Sequence, residues 1–405
     1  MLAARIAKGT IIDDDTGLMR AASTAPGTGT VAARAVVRFA CLLLPFAPLA
    51  TGCASGDGAS APSARAAAFA WDTLPDLPRP LGGQMAGNSH GALIVAGGTD
   101  FPTPLFEGGA KVWYDTVHVL ERGAAAWATP LRLPNPLAYA AAASADDRLL
   151  MAGGSDAARH YAAVHALEWK DGALQLTALP PLPGPTAMAR GAVASRIFYV
   201  VGGQAAPDAV EASRAVLALD LDATHLGWQA LPPLPGPGRI LPAVAAQAGQ
   251  LLIASGASLS ADAAGRATRQ SLADAYAWTP VPTSTRDAAG ITRGSWRRLA
   301  DVPRAVIAAS AAPFGQSFVA VFSGDDGALA AQVAELRDRH PGFSRDILAY
   351  DTDADTWTSW GAMPQGLVTT MAVPMDDAIV IVGGEDRPGH RSASVLRGRA
   401  SVRPR

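Results

Sequence analysis

The chain has 405 residues and a mass of 41.4 kDa, enough for one large core or several small ones. Its 33 Lys and Arg against 35 Asp and Glu leave a formal charge of -2, and no basic run offers a local field for nucleic acid. Abundant Gly (41) and Pro (31) with only 17% charged residues suit short strands and tight turns, and the two cysteines, Cys41 and Cys53, leave the body without thiolate catalysis or Cys-based zinc sites.

At the N-terminus, Arg34 and Arg38 precede the apolar stretch FACLLLPFAPLA at 39–50, which predicts a secretory signal too short to span a membrane stably. It ends Leu49-Ala50-Thr51-Gly52-Cys53, which resembles a bacterial lipobox with Ala50 where Leu is usual. The expectation is a periplasmic protein tethered to a membrane by a lipid on Cys53; the alternative is an ordinary cleaved signal and a soluble periplasmic product. Residues 1–53 then form an extension and signal, with Met19 a second possible start. Residues 54–66, rich in Ala, Ser and Gly, form a flexible tether, and 67–405 the folded body.

Along that body a short apolar run ending in Gly-Gly or Ser-Gly recurs six times, closing at Gly98, Gly154, Gly203, Gly256, Gly324 and Gly384. A second series keeps step with it: Trp71, Trp127, Leu176, Trp228, Trp296 and Trp357, several followed by a proline-rich phrase such as LPDLP or LPPLP. Two markers that lengthen and shorten together define one repeated unit with insertions. Each unit reads as four strands. In the third these are 187–194, the apolar run 197–201, 216–221 and an outer strand carrying Trp228. The units resemble kelch repeats, which implies an all-β, six-bladed propeller. The last unit lacks a tryptophan strand, and the strand around Trp71 lacks a unit, so pairing the N-terminal strand into the sixth blade closes the ring and removes an exposed edge.

The loops after the diglycines share one face with the links into the inner strands. Blade one carries a long loop at 99–115, and blade five carries another at 325–346, in which 328–339 reads as a short helix over the channel mouth. Blade six carries Gly384-Glu385-Asp386-Arg387-Pro388-Gly389-His390-Arg391. This loop resembles the Gly-Glu-x-x-Pro-Gly-x-Arg loop of the sialic acid mutarotases, also called N-acetylneuraminate epimerases. The blade-one motif MAGNSHGALIVAGGTDF and the Glu107-Gly108-Gly109-x-Lys111 loop resemble another blade of the same enzymes. Their order here, with the Glu/Arg blade last, is similar to the cyclically permuted mutarotase group.

The resemblance implies Glu385 and Arg391 as catalytic residues and an acidic sugar as the partner. Arg79, Asn88, Glu107 and Lys111 are further candidates for substrate binding. Anomerisation takes a proton from the anomeric hydroxyl and delivers one to the ring oxygen, work for a carboxyl group such as Glu385 without metal or other cofactor. An arginine such as Arg391 can grip the sugar's carboxylate bidentately. Arg190, Arg239 and Arg304 follow proline-rich phrases as Arg79 does, and such repetition points mainly to structural roles. The seven histidines show no metal-ligand spacing, and the Tyr–Cys chemistry of copper-radical oxidases lacks its cysteine. The rival expectation is a non-catalytic sugar-binding or protein-interaction propeller.

Overall fold

The computed structural model describes residues 69–128, 131–281 and 292–400; the signal, Cys53 and the tether lie outside the described residues. Six four-stranded antiparallel sheets follow one another as blades. The innermost strands are Met85–Ser89, Ala141–Ala145, Arg190–Ala194, Ala243–Gln247, Ser310–Phe314 and Met371–Met375. Each contacts the next, and the last contacts the first, so they enclose a central channel. Their wealth of Ala and Gly matches that crowding. The second strands are the apolar runs, such as Ala92–Ala96, in which every residue is buried because both faces of a blade meet a neighbour. The core is therefore divided among blade interfaces: Tyr199, Trp278 and Leu251 pack between blades three and four, and Val321, Leu348 and Ala277 between four and five.

Blade six is closed as expected. Phe69–Leu74 pairs antiparallel with His390–Ala400, in register from Phe69↔Ala400 to Leu74↔Val395. Arg397 clamps Asp72 at 2.7 and 2.8 Å, and Arg399 joins at 3.1 Å. The tryptophan series has a specific job. Trp127, Trp228, Trp296 and Trp357 each donate an indole N–H to the carbonyl of Pro75, Pro180, Pro232 or Ala300, which follows the outer strand of the preceding blade. The marker and the proline-rich phrase are thus two ends of one inter-blade hydrogen bond. Leu176 of blade two cannot make it and is exposed.

A feature that the strand readings missed lies where the inner strands begin. Gly83, Tyr139, Met188, Leu241, Ala308 and Thr369 all have positive φ. Each donates its N–H to the carbonyl of the equivalent residue in the preceding blade, at 2.7–3.0 Å, and Gly83 returns to Thr369. Six backbone hydrogen bonds thus close a hoop around the channel. The left-handed turn delays the inner strand, so the expected 187–194 starts at Arg190. The expected helix at 328–339 is broken as well: the 3-10 turn Ala330–Gln332, one α turn Val333–Leu336 and the 3-10 turn Arg337–Arg339 replace it, with Val333 the one buried residue of the α turn. Helix-forming composition cannot sustain so short a helix without an apolar face to bury.

Candidate functional site

In blade six the second and third strands, Ala378–Arg387 and His390–Ala400, run far beyond their counterparts and carry the Glu/Arg loop outward as a hairpin. Glu385 and Arg391 stand directly opposite each other in its register. The Arg391 Nη1 is ion-paired with the Glu385 Oε2, while the Glu385 Oε1 accepts the Gly389 N–H at 2.6 Å. Each residue is only 4% exposed. A buried pair held this way is costly to desolvate and makes a poor stabilising device, which points to a role beyond folding.

Blade one supplies the facing wall. The Arg391 Nη2 donates to the Tyr139 hydroxyl at 3.2 Å and approaches the Thr99 hydroxyl at 3.4 Å, and its guanidinium lies 5.3 Å from the Phe101 ring centre. The Tyr139 phenol reaches this far because the hoop residue before it is Gly83. At φ +67° a Cβ there would sit 2.4 Å from the Tyr139 ring. Lys111 is buried over the rings of Phe101, Trp113 and Tyr139 at 5.5–5.8 Å. Arg79 stacks on Tyr114 at 4.3 Å, and its Nε has no hydrogen-bond partner among the described residues. Asp100 lies within the fields of Arg391, Arg79 and His390, yet burial pushes its carboxyl above the ordinary carboxylate range.

Two candidates fall elsewhere. Glu107 is exposed on the 3-10 turn Leu105–Glu107, whose Leu105 packs against Gly389 and props the hairpin tip. Asn88 lies at the opposite end of its strand from the hoop, where its side-chain carbonyl accepts the Gly91 N–H. There it lines a cavity of about 360 Å3 in the channel, on the far side of the hoop from Glu385. The other arginines divide. Arg239 is bound by Asp274 at 2.8 and 2.9 Å, and Arg304 by Ser344 at 2.7 Å, so both are structural. Arg190 is buried near Tyr139, with its Nε and Nη2 unpartnered among the described residues, and burial lowers its guanidinium to about 10.

The residue after the glycine that closes each apolar run falls at one place in every blade: Thr99, Ser155, Gln204, Ala257, Asp325 and Glu385 each bridge to the residue just before the hoop position. Two neighbouring blades therefore present carboxyl groups at the same level. The blade-five insertion closes over them. The Phe343 N–H donates to the Asp386 carbonyl at 3.1 Å, and the buried His340 lies within electrostatic range of both Asp325 and Glu385. The diglycine spacing could have flagged Asp325. Tyr139 had no sequence signal, because its reach depends on backbone angles in two blades.

No family model matches the chain. It is 30% identical over 117 residues to the N-acetylneuraminate epimerase of Haemophilus influenzae (strain 86-028NP), covering 24% of this chain and 31% of that one. It is 26% identical over 233 residues to the N-acetylneuraminate epimerase of Yersinia pestis (strain Pestoides F), covering 54% and 57%. The chain thus spans about a third and about half of the lengths of these two relatives. Among solved structures, that titled "Structure of YjhT" superposes with a TM-score of 0.58 at 17% identity, over 80% of this chain and 97% of that one, a likeness of fold. The chain is a six-bladed propeller related in sequence to proteins named N-acetylneuraminate epimerase.

Proposed function

We propose that this protein is a mutarotase that interconverts the α and β anomers of N-acetylneuraminate or a closely related acidic sugar. The observation that carries the reading is the Glu385–Arg391 pair, buried on the sixth-blade hairpin against Tyr139, Thr99 and Phe101. Glu385 takes the proton of the anomeric hydroxyl as the ring opens and returns it as the ring closes on the other face of the carbonyl. Arg391 holds Glu385 in place with one nitrogen and offers the other, now directed at neutral hydroxyls, to the sugar's carboxylate. Lys111 and Arg79 add positive charge on the blade-one side. These proton transfers require no metal or redox cofactor. The signal-like stretch at 39–50 supports a reaction in the periplasm, with Cys53 as the anchoring residue if the segment is lipidated and a soluble product if it is simply cleaved.

The test is anomer exchange of N-acetylneuraminate followed by NMR with substoichiometric protein. The wild type is expected to accelerate exchange, and Glu385→Gln to slow it by roughly 10²-fold or more. A protein that binds the sugar without accelerating exchange would be the non-catalytic module, and the proposal would fall.

A further inference from the structure

Ring opening asks for two proton transfers at two oxygens, and Glu385 is one carboxyl group. The propeller's register supplies a second. Asp325 occupies in blade five the place that Glu385 occupies in blade six: it follows the glycine that closes the apolar run, Gly324, and bridges to Ile307, as Glu385 bridges to Val368. Ile307 and Val368 immediately precede the hoop residues Ala308 and Thr369, so the two carboxylate residues start from equivalent points on adjacent blades. His340, carried in by the blade-five insertion, is buried within electrostatic range of both.

An independent sign of a ligand lies on the hoop residue of blade six. In blade two the hoop residue Tyr139 turns its hydroxyl to Thr99, the post-diglycine residue of the preceding blade, at 3.2 Å. The corresponding hoop residue of blade six is Thr369, and the post-diglycine residue of the blade before it is Asp325. The Thr369 Oγ1 is buried and has no hydrogen-bond partner among the described residues. Buried hydroxyls are ordinarily satisfied, so one left without a partner on the residue that follows Val368, the bridge partner of Glu385, marks a place for a polar group from outside.

We infer that Asp325 is the second proton-transfer group of the anomerisation, serving the ring oxygen while Glu385 serves the anomeric hydroxyl, and that the Thr369 hydroxyl binds the same sugar. The inference rests on the mutarotase reading above. As the ring opens, Glu385 takes the hydroxyl proton and the O–H electron pair forms the carbonyl. The bond between the anomeric carbon and the ring oxygen breaks, its electron pair stays on that oxygen, and the proton of Asp325 joins it. Closure on the opposite face returns both protons, so the protein ends as it began.

Asp325 suits the acid role. Burial raises its carboxyl, and Asp326 adds to the rise; His340, Arg269 and the Gly327 N–H oppose it. Arg387 and Glu385 face His340 from blade six and complete the charges around the pair.

The experiment is the pH profile of kcat/KM for N-acetylneuraminate exchange, with sugar binding by saturation-transfer NMR and thermal unfolding as controls. Asp325→Asn is expected to lower kcat by roughly 10-fold or more while binding persists, and to remove the alkaline fall of the wild-type profile. Asp325→Glu is expected to restore part of the rate with a shifted limb. Thr369→Val is expected to raise KM several-fold and leave the limb in place. A wild-type profile in Asp325→Asn, with Glu385→Gln inactive, overturns the role of Asp325 and spares the mutarotase reading. No exchange by the wild type removes both. Should Asp325→Asn not fold, an unshifted limb in Asp325→Glu together with an unchanged KM in Thr369→Val overturns the inference.

Discussion

His118 shows how a single side chain can set the response of the propeller to acid. It is buried on the third strand of blade one, edge-on to Trp127 at 6.4 Å, and neither ring nitrogen has a hydrogen-bond partner among the described residues. Burial first, and then the nearby Arg79 cation, hold its pKa below the ordinary 6.5. Burial lowers His165 in the same direction. The unfolded chain binds a proton near pH 6.5 that the folded chain refuses, so stability is complete above that pH and declines as pH falls below it. Urea titrations at pH 7.5 and 5.5 are expected to show the loss, with a slope of at most about 1.4 kcal/mol per pH unit for each such histidine. His118→Leu removes its share; an unchanged slope in that variant would refute the assignment.

In four of the six blades, the indole bond to the preceding blade ties length variation in one unit to the next. Trp228→Phe keeps most of the ring contact with Phe198, at 5.7 Å, but loses the bond to the Pro180 carbonyl. It is expected to cost about 1 kcal/mol in urea unfolding, whereas Leu176→Phe in blade two, which has no such bond to lose, should cost little. This bond explains why the six blades were legible: the tryptophan marker is tied to a contact that four of the six blades make. The inner-strand starts were less legible, because a residue such as Met188 or Thr369 adopts positive φ for the hoop and not from any preference of its own. The candidate site was half legible. Glu385 and Arg391 face each other across a hairpin, as alternation along two paired strands allows. Asn88, five residues beyond Gly83, had to fall a strand's length away, and Glu107 went to a propping turn.

For the whole molecule, closure by Phe69–Leu74 makes the last blade depend on the first residues of the body. Its charged clasp and its apolar contacts contribute differently. Arg397 and Arg399 hold the Asp72 carboxyl down at about 2, but the trio is largely solvent-exposed. Asp72→Asn is therefore expected to cost less than about 1 kcal/mol, and less still in high salt. Phe69 packs among Trp71, Phe314, Phe322 and Trp360, so Phe69→Ala is expected to cost about 2–4 kcal/mol. Equal costs in denaturant titrations would show that the clasp, not the packing, fastens the ring.

The hoop of six amides also governs traffic. Its N–H groups all point the same way around the axis, so their dipoles cancel and lend no pull along it, unlike the stacked amides of a helix. With Tyr139 and Leu241 buried at its rim, it stands between the level of Glu385 and the cavity lined by Asn88. A sugar docked beside Glu385, as proposed above, would therefore meet the hoop before it met that cavity.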